Sequence, residues 1–201
     1  MSQLDLPAWK NLVCVVGSAA RSHRTRQAIE AVAAGARGAD AGLNVEIIDL
    51  SERHVSVMDG RSPEEYGDDT VGVISAIERA GCVILSTPIY RGTYTGALKN
   101  LLDHLPLEAL EGKAVGLLAS GATDHHTLAI DHQLRGVLAW FNAYLVPGSV
   151  YVTHRDSIDG EFEPGMASRL AQLGQSTVGL ARVLPAGPPL PFALARAAKK
   201  P

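Results

Sequence analysis

Short apolar runs alternate along this chain with segments whose apolar residues recur at helical spacing, and this alternation limits the fold more than any other feature. Leu12-Val13-Cys14-Val15-Val16 is continuously apolar, as a parallel strand covered on both faces must be. Val45 to Leu50 reads as a second strand with one alternating face, Cys82 to Thr87 as a third and Ala114 to Ala119 as a fourth. A fifth runs from Tyr144-Leu145-Val146 through Val150-Tyr151-Val152, interrupted by Pro147-Gly148, which predicts a kink or bulge. Between them, Ile29, Val32, Ala33 and Ala36 mark one helical stripe, and Val73, Ile74 and Ile77 a second. Leu98, Leu101, Leu102 and Leu105 mark a third, stopped by Pro106. Leu134, Val137, Leu138 and Phe141 form a fourth, and Met166, Leu170, Leu173, Thr177, Leu180 and Leu184 a fifth.

Strands alternating with helices imply a doubly wound α/β fold. The expected architecture is flavodoxin-like: a five-stranded parallel sheet in the order 2-1-3-4-5 with helices on both faces. At 201 residues, one domain is the natural count. It is expected to span residues 1–184, followed by a Pro/Ala-rich tail at 185–201 that trails off disordered or lies over a neighbouring subunit. The connection from Ser51 to Asp69 exceeds ordinary lengths and predicts a functional or interfacial role. A net charge of −3 gives no footprint for nucleic acid or an anionic membrane. No apolar run approaches the roughly 18 residues that a bilayer span requires. The first residues lack the pattern of a signal peptide, so the cytoplasm is the expected location. Cys14 and Cys82 both fall in apolar runs without C-x-x-C spacing, which predicts packing rather than redox chemistry.

Three loops at strand ends carry the chemistry. After the first strand comes Gly17-Ser18-Ala19-Ala20-Arg21-Ser22-His23-Arg24-Thr25. A loop of small and hydroxyl residues opening a helix offers free N–H groups and the positive helix end to an anion. Arg21, Arg24 and Arg26 add charge, and Ser18, Ser22 and Thr25 add hydroxyls. The spacing is neither G-x-G-x-x-G nor a Walker loop, so a single terminal phosphate, as on FMN, fits better than a dinucleotide. An ordinary capped helix with solvated arginines is the competing reading. The third strand ends in Thr87-Pro88-Ile89-Tyr90 with Tyr94 close behind. This is a rigid turn with two aromatic faces for a planar ring. The fourth ends in Ser120-Gly121-Ala122-Thr123, whose backbone amides suit the pyrimidine edge of a flavin. His125, His126 and His132 lack metal-ligand spacing. In a 2-1-3-4-5 sheet the three loops meet at one edge, around the switch point.

From Leu12 to about Val152 the chain resembles the NAD(P)H-dependent FMN reductases, and within them the reductase component of alkanesulfonate or methanesulfonate monooxygenases. The resemblance rests on Thr87-Pro88-Ile89-Tyr90, Gly96-Ala97-Leu98-Lys99, Leu101-Leu102-Asp103, Ala109 to Lys113 and Leu128 to Leu134. In the first loop Gly17, Ser18, Arg24 and Thr25 match the family's phosphate pattern, and His23 stands where Ser is usual. Hydride transfer from NAD(P)H to FMN is the implied activity, with reduced flavin delivered to a flavin-dependent monooxygenase by a homodimer or homotetramer. The implied FMN contacts are Ser18, His23, Arg24, Thr25, Thr87, Pro88, Ile89, Tyr90, Tyr94 and Ser120 to Thr123, with no catalytic acid or base and no metal. His132 replaces the Tyr of alkanesulfonate-type members, whose helix carries a π-bulge at the tetramer interface. It is closer to the methanesulfonate type and implies FMN held more as a cofactor than as a substrate. A quinone, azo or chromate reductase, an FMN-binding flavodoxin-like electron carrier and an oligomeric flavin-binding scaffold are the alternatives.

Overall fold

The computed structural model describes residues 7–185. The expected tail therefore lies almost wholly outside the described residues, as do residues 1–6. Five parallel strand positions form the main sheet: β1 (Asn11–Val16), β2 (Asn44–Asp49), β3 (Cys82–Pro88), β4 (Ala114–Ser120) and an interrupted edge made of β5 (Tyr144–Leu145) and β6 (Val150–Val152). Their order is β2-β1-β3-β4-β5, with β6 also on β4. The interruption is a bulge, as Pro147-Gly148 predicts. From Val115 to Leu118 β4 advances three residues, whereas its partner advances five, from Leu145 to Val150. Gly148, at φ 71°, takes up the excess. A small antiparallel hairpin, β7 (Ser157–Ile158) with β8 (Glu161–Phe162), follows; it is too short to show in apolar periodicity.

The two faces of the sheet have separate cores. Val13, Val15, Val83, Leu85, Val115 and Leu117 point to one side. That side is covered by α2 (Thr70–Arg79), α3 (Gly96–His104) and α4 (Ala129–Ala139). Leu12, Cys14, Val16, Cys82 and Ile84 point to the other, covered by α1 (His23–Ala39) and α5 (Pro164–Val183). Side chains alternate across a strand, so strands apolar at every position feed both layers. The α1–α5 crossing is close because glycines sit at it. A Cβ on Gly35 would stand 2.3 Å from the Ala171 Cα, and one on Gly174 would stand 2.2 Å from the Val32 carbonyl. Leu105, Phe141 and Leu184 lie just past their helices, yet Leu105 and Phe141 are still buried. The α4 helix runs unbroken through His132, whose N–H donates to the Leu128 carbonyl at 3.0 Å; it carries no π-bulge.

The long connection is fastened to α3. The Asn100 amide donates to the Ser56 carbonyl at 2.9 Å and accepts from the Met58 N–H, while His104 Nε2 donates to Ser56 O at 2.8 Å. Asp68 binds both the N–H and the hydroxyl of Ser56. Where the connection leaves β2 it walls a groove of about 440 Å³ with Ala19, Ala97 and Asn100.

Candidate functional site

At the carboxyl end of β1 the chain turns with no room to spare. A Cβ on Gly17 would stand 2.7 Å from the Ser86 carbonyl and 2.9 Å from the Leu98 Cβ, so only glycine lets β1, β3 and α3 approach there. Ser18 is buried, and its hydroxyl donates to the Ala20 carbonyl at 2.7 Å. It shapes the loop instead of presenting its oxygen to solvent. Ser22 is the N-cap of α1, but its hydroxyl bonds the Thr25 hydroxyl and leaves the backbone uncapped. The backbone N–H groups of Ala19 to Thr25 have no intramolecular acceptor among the described residues. Orphan donors at a helix start are what an anion needs. His23 is exposed at the first helical position and Arg24 is half-buried beside it.

The β3 end is built from threonines. Thr87 is fully buried, and its hydroxyl donates to the Pro88 carbonyl and accepts from the Thr95 N–H at 3.1 Å. Thr95 caps α3 by accepting from the Leu98 N–H, and its hydroxyl also donates to the Gly17 carbonyl. Between them Tyr90 and Thr93 pair across a tight turn whose central residues, Arg91 and Gly92, have φ of 55° and 80°. Two positive φ values are the signature of a type I′ hairpin turn. The turn lifts Tyr90 to 54% exposure, leaves Tyr94 half-buried and keeps Ile89 in the core.

The β4 end sits directly on Tyr151. A Cβ on Gly121 would overlap the Tyr151 hydroxyl, which donates to the Thr123 carbonyl at 2.8 Å. Burial raises the Tyr151 pKa, so this donor keeps its proton at neutral pH. Ala122 and Thr123 are exposed above it.

Direct bonds tie the three loops together. The Thr25 and Ser120 hydroxyls meet at 2.7 Å. Arg24 reaches across to the Gly121 carbonyl at 3.3 Å, and the Ile89 N–H donates to Ser120 O at 2.7 Å. Thr25, Thr87 and Ser120 thus form the buried floor, while His23, Arg24, Tyr90, Tyr94, Ala122 and Thr123 rise from it. Arg26, expected to add charge to the first loop, turns away to Glu30, Asp49 and Glu52. Sequence reasoning missed Tyr151 and Thr95; Ser22, expected to offer its hydroxyl to a ligand, spends it on Thr25. Thr95, three residues before Leu98 at a helix start, was findable as a cap; Tyr151 sits mid-strand and carries no local signal. Lys99 and Asp103 form the expected surface pair on α3. Cys14 and Cys82 are buried free thiols; burial drives both pKa values up, that of Cys82 to about 12. Among the described residues no group of His, Cys, Asp and Glu is placed to hold a metal ion, and no helix is long and apolar enough to cross a membrane.

These features fit FMN. Unpartnered amides and Arg24 suit its phosphate, and the Pro88–Tyr94 turn offers a flat aromatic wall.

Comparison with known proteins points the same way. Residues 11–157 match the family described as NADPH-dependent FMN reductase. The chain is 38% identical over 139 residues to an NAD(P)H-dependent FAD/FMN reductase of Geobacillus thermodenitrificans (strain NG80-2), covering 68% of this chain and 75% of that one. It is 33% identical over 148 residues to the NADH-dependent FMN reductase SfnF of Pseudomonas fluorescens (strain Pf0-1), covering 74% and 79%. The apo crystal structure of the NADH:FMN oxidoreductase EMOB superposes with a TM-score of 0.69 at 28% identity, covering 89% of this chain and 91% of that one. With its flavodoxin-like sheet, its three joined loops and a family match running from β1 to β7, the chain belongs to the NADPH-dependent FMN reductase family, oxidoreductases that use FMN and NAD(P)H.

Proposed function

We propose that the three joined loops hold FMN and that the protein passes reduced flavin to a partner flavin-dependent monooxygenase of the sulfonate type. The observation that carries the site is the run of unpartnered N–H groups from Ala19 to Thr25. It supplies a phosphate cradle where no side chain has taken the donors. In this reading His23 and Arg24 add charge-assisted contacts. Ser18 and Thr25 fix the loop, and Thr87 to Tyr90 with Tyr94 wall one side of the ring. Ser120, Gly121, Ala122 and Thr123 face its polar edge. Held by the Ala19–Thr25 amides and Arg24, FMN would supply the hydride-accepting chemistry toward NAD(P)H, which belongs to the cofactor. The chain's own contribution is to bind, orient and leave one ring face accessible, so no side chain needs to act as acid or base. A homodimer or homotetramer working in the cytoplasm is part of the same reading, supported by the family resemblance. NADPH or NADH oxidation by the purified protein tests it. Oxidation that saturates with added FMN, and a rise in monooxygenase turnover when the two proteins are combined, support the proposal. Oxidation that depends only on a quinone, or none at all, refutes it.

A further inference from the structure

Gly17 opens the first loop, and the peptide groups on both sides of it are held. Its N–H donates to the Ser86 carbonyl at 2.8 Å. Its carbonyl accepts from the Thr95 hydroxyl, and the N–H of that same peptide, which belongs to Ser18, donates to the Val16 carbonyl at 3.0 Å. The Thr87 hydroxyl lies 3.5 Å from the Gly17 carbonyl but donates to Pro88 O at 2.9 Å, so Thr95 is the close donor. Thr95 is 6% exposed. Its hydroxyl gives its proton to Gly17 and accepts from the Leu98 N–H at 3.1 Å, while its own N–H donates to Thr87 Oγ1 at 3.1 Å. One buried residue at the start of α3 therefore bonds the first loop through its side chain and the end of β3 through its backbone.

Crowding makes the side-chain bond necessary. Only glycine fits at position 17, and glycine is the residue least able to fix its own backbone. The peptide after it sets how the chain leaves β1 toward the unpartnered N–H groups of Ala19 to Thr25. We infer that Thr95 is a positioning residue for the flavin phosphate: by holding the Gly17 carbonyl against α3 it fixes the path on which the loop amides converge and keeps an acceptor away from the anion. The inference rests on the FMN site proposed above and extends it to a residue that acts on the phosphate only through Gly17. Without the hydroxyl, the Gly17 carbonyl loses its close donor in a buried place. It must turn to find another, and the peptide carries Ser18 with it. The ring end of the site is independent of this bond. The Thr95 N–H belongs to the backbone and still holds Thr87, whatever side chain stands at position 95. Loss of the hydroxyl should therefore damage phosphate binding and spare the ring.

Titration of FMN and of riboflavin by flavin fluorescence, in wild type, Thr95→Val, Thr95→Gly and Thr95→Ser, tests this, with thermal unfolding as the control for folding. Glycine serves nearly as well as threonine at an N-cap, so Thr95→Gly removes the donor while keeping the start of α3 should the valine variant fail to fold. Both are expected to weaken FMN by about tenfold, the size of one lost buried hydrogen bond, and to leave riboflavin within about twofold of wild type. Thr95→Ser keeps the hydroxyl and should hold FMN affinity within about twofold on the same scale. An unchanged ratio of the two affinities in the variants that lack the hydroxyl overturns the positioning role, whether both flavins weaken or neither does. Wild type that fails to bind FMN, or binds it no more tightly than riboflavin, would instead overturn the phosphate site itself.

Discussion

Thr25 joins the first loop to the third, and Thr25→Val isolates what that joint contributes. Valine keeps the shape of threonine but replaces the hydroxyl, which lies 2.7 Å from Ser22 Oγ and 2.7 Å from Ser120 Oγ. Ser22 is half-buried and recovers water. Ser120 is 3% exposed, and among the described residues Thr25 is the only partner of its hydroxyl. The change therefore strands one buried hydroxyl, a cost of about 1–3 kcal/mol. For a chain of this size that lowers the melting temperature by about 2–4 °C per kcal/mol. Removing both partners relieves the penalty, so Thr25→Val/Ser120→Ala should be more stable than the two single losses added together predict. Urea denaturation of the four proteins closes the cycle, with an expected coupling of about 1 kcal/mol or more. Strict additivity would show that the two hydroxyls do not support each other and that the loops are held together by something else.

Arg24→Ala should weaken FMN by about 1–3 kcal/mol, the range for a hydrogen bond to a charged group. Arg26→Ala, which releases Glu30, Asp49 and Glu52 instead, should leave FMN affinity within about twofold, judged against the same scale; fluorescence titration separates the two. Gly35→Ala and Gly174→Ala should each cost about 1–3 kcal/mol through overpacking at the α1–α5 crossing, read from urea unfolding. Cys14 and Cys82 should resist a thiol reagent at pH 8 until the protein unfolds. Burial holds the Cys82 pKa near 12, against about 9 when unfolded. Its protonated thiol therefore supports folding fully below about pH 9, and that support is lost as pH rises toward 12. Stability of Cys82→Ala should accordingly fall less steeply across this window than that of wild type.

The strand order and the three loops were legible because they depend on local pattern. Short runs apolar at every position, alternating with segments of helical period, suit strands with helices on both faces, and the switch point of such a sheet is fixed by its order. Thr87 to Tyr90 was legible because Pro and Tyr at a strand end leave few structural roles. What joins the loops was not legible. Arg24 to Gly121 and Thr25 to Ser120 are contacts across nearly half the chain, and nothing in either segment announces the other. The direction taken by Arg26 was hidden for the same reason, since its partners include Asp49 and Glu52 at the end of β2. Tyr151 reads as a core strand residue, and nothing near it in sequence announces that its hydroxyl supports the Thr123 carbonyl.

In the proposed complex the FMN phosphate sits on the Ala19–Thr25 amides beside Arg24, and the most direct test compares FMN with riboflavin. Titrated side by side, FMN should bind at least tenfold more tightly than riboflavin, and Arg24→Ala should remove most of that difference while leaving riboflavin affinity unchanged. Equal affinity of wild type for the two flavins would contradict it.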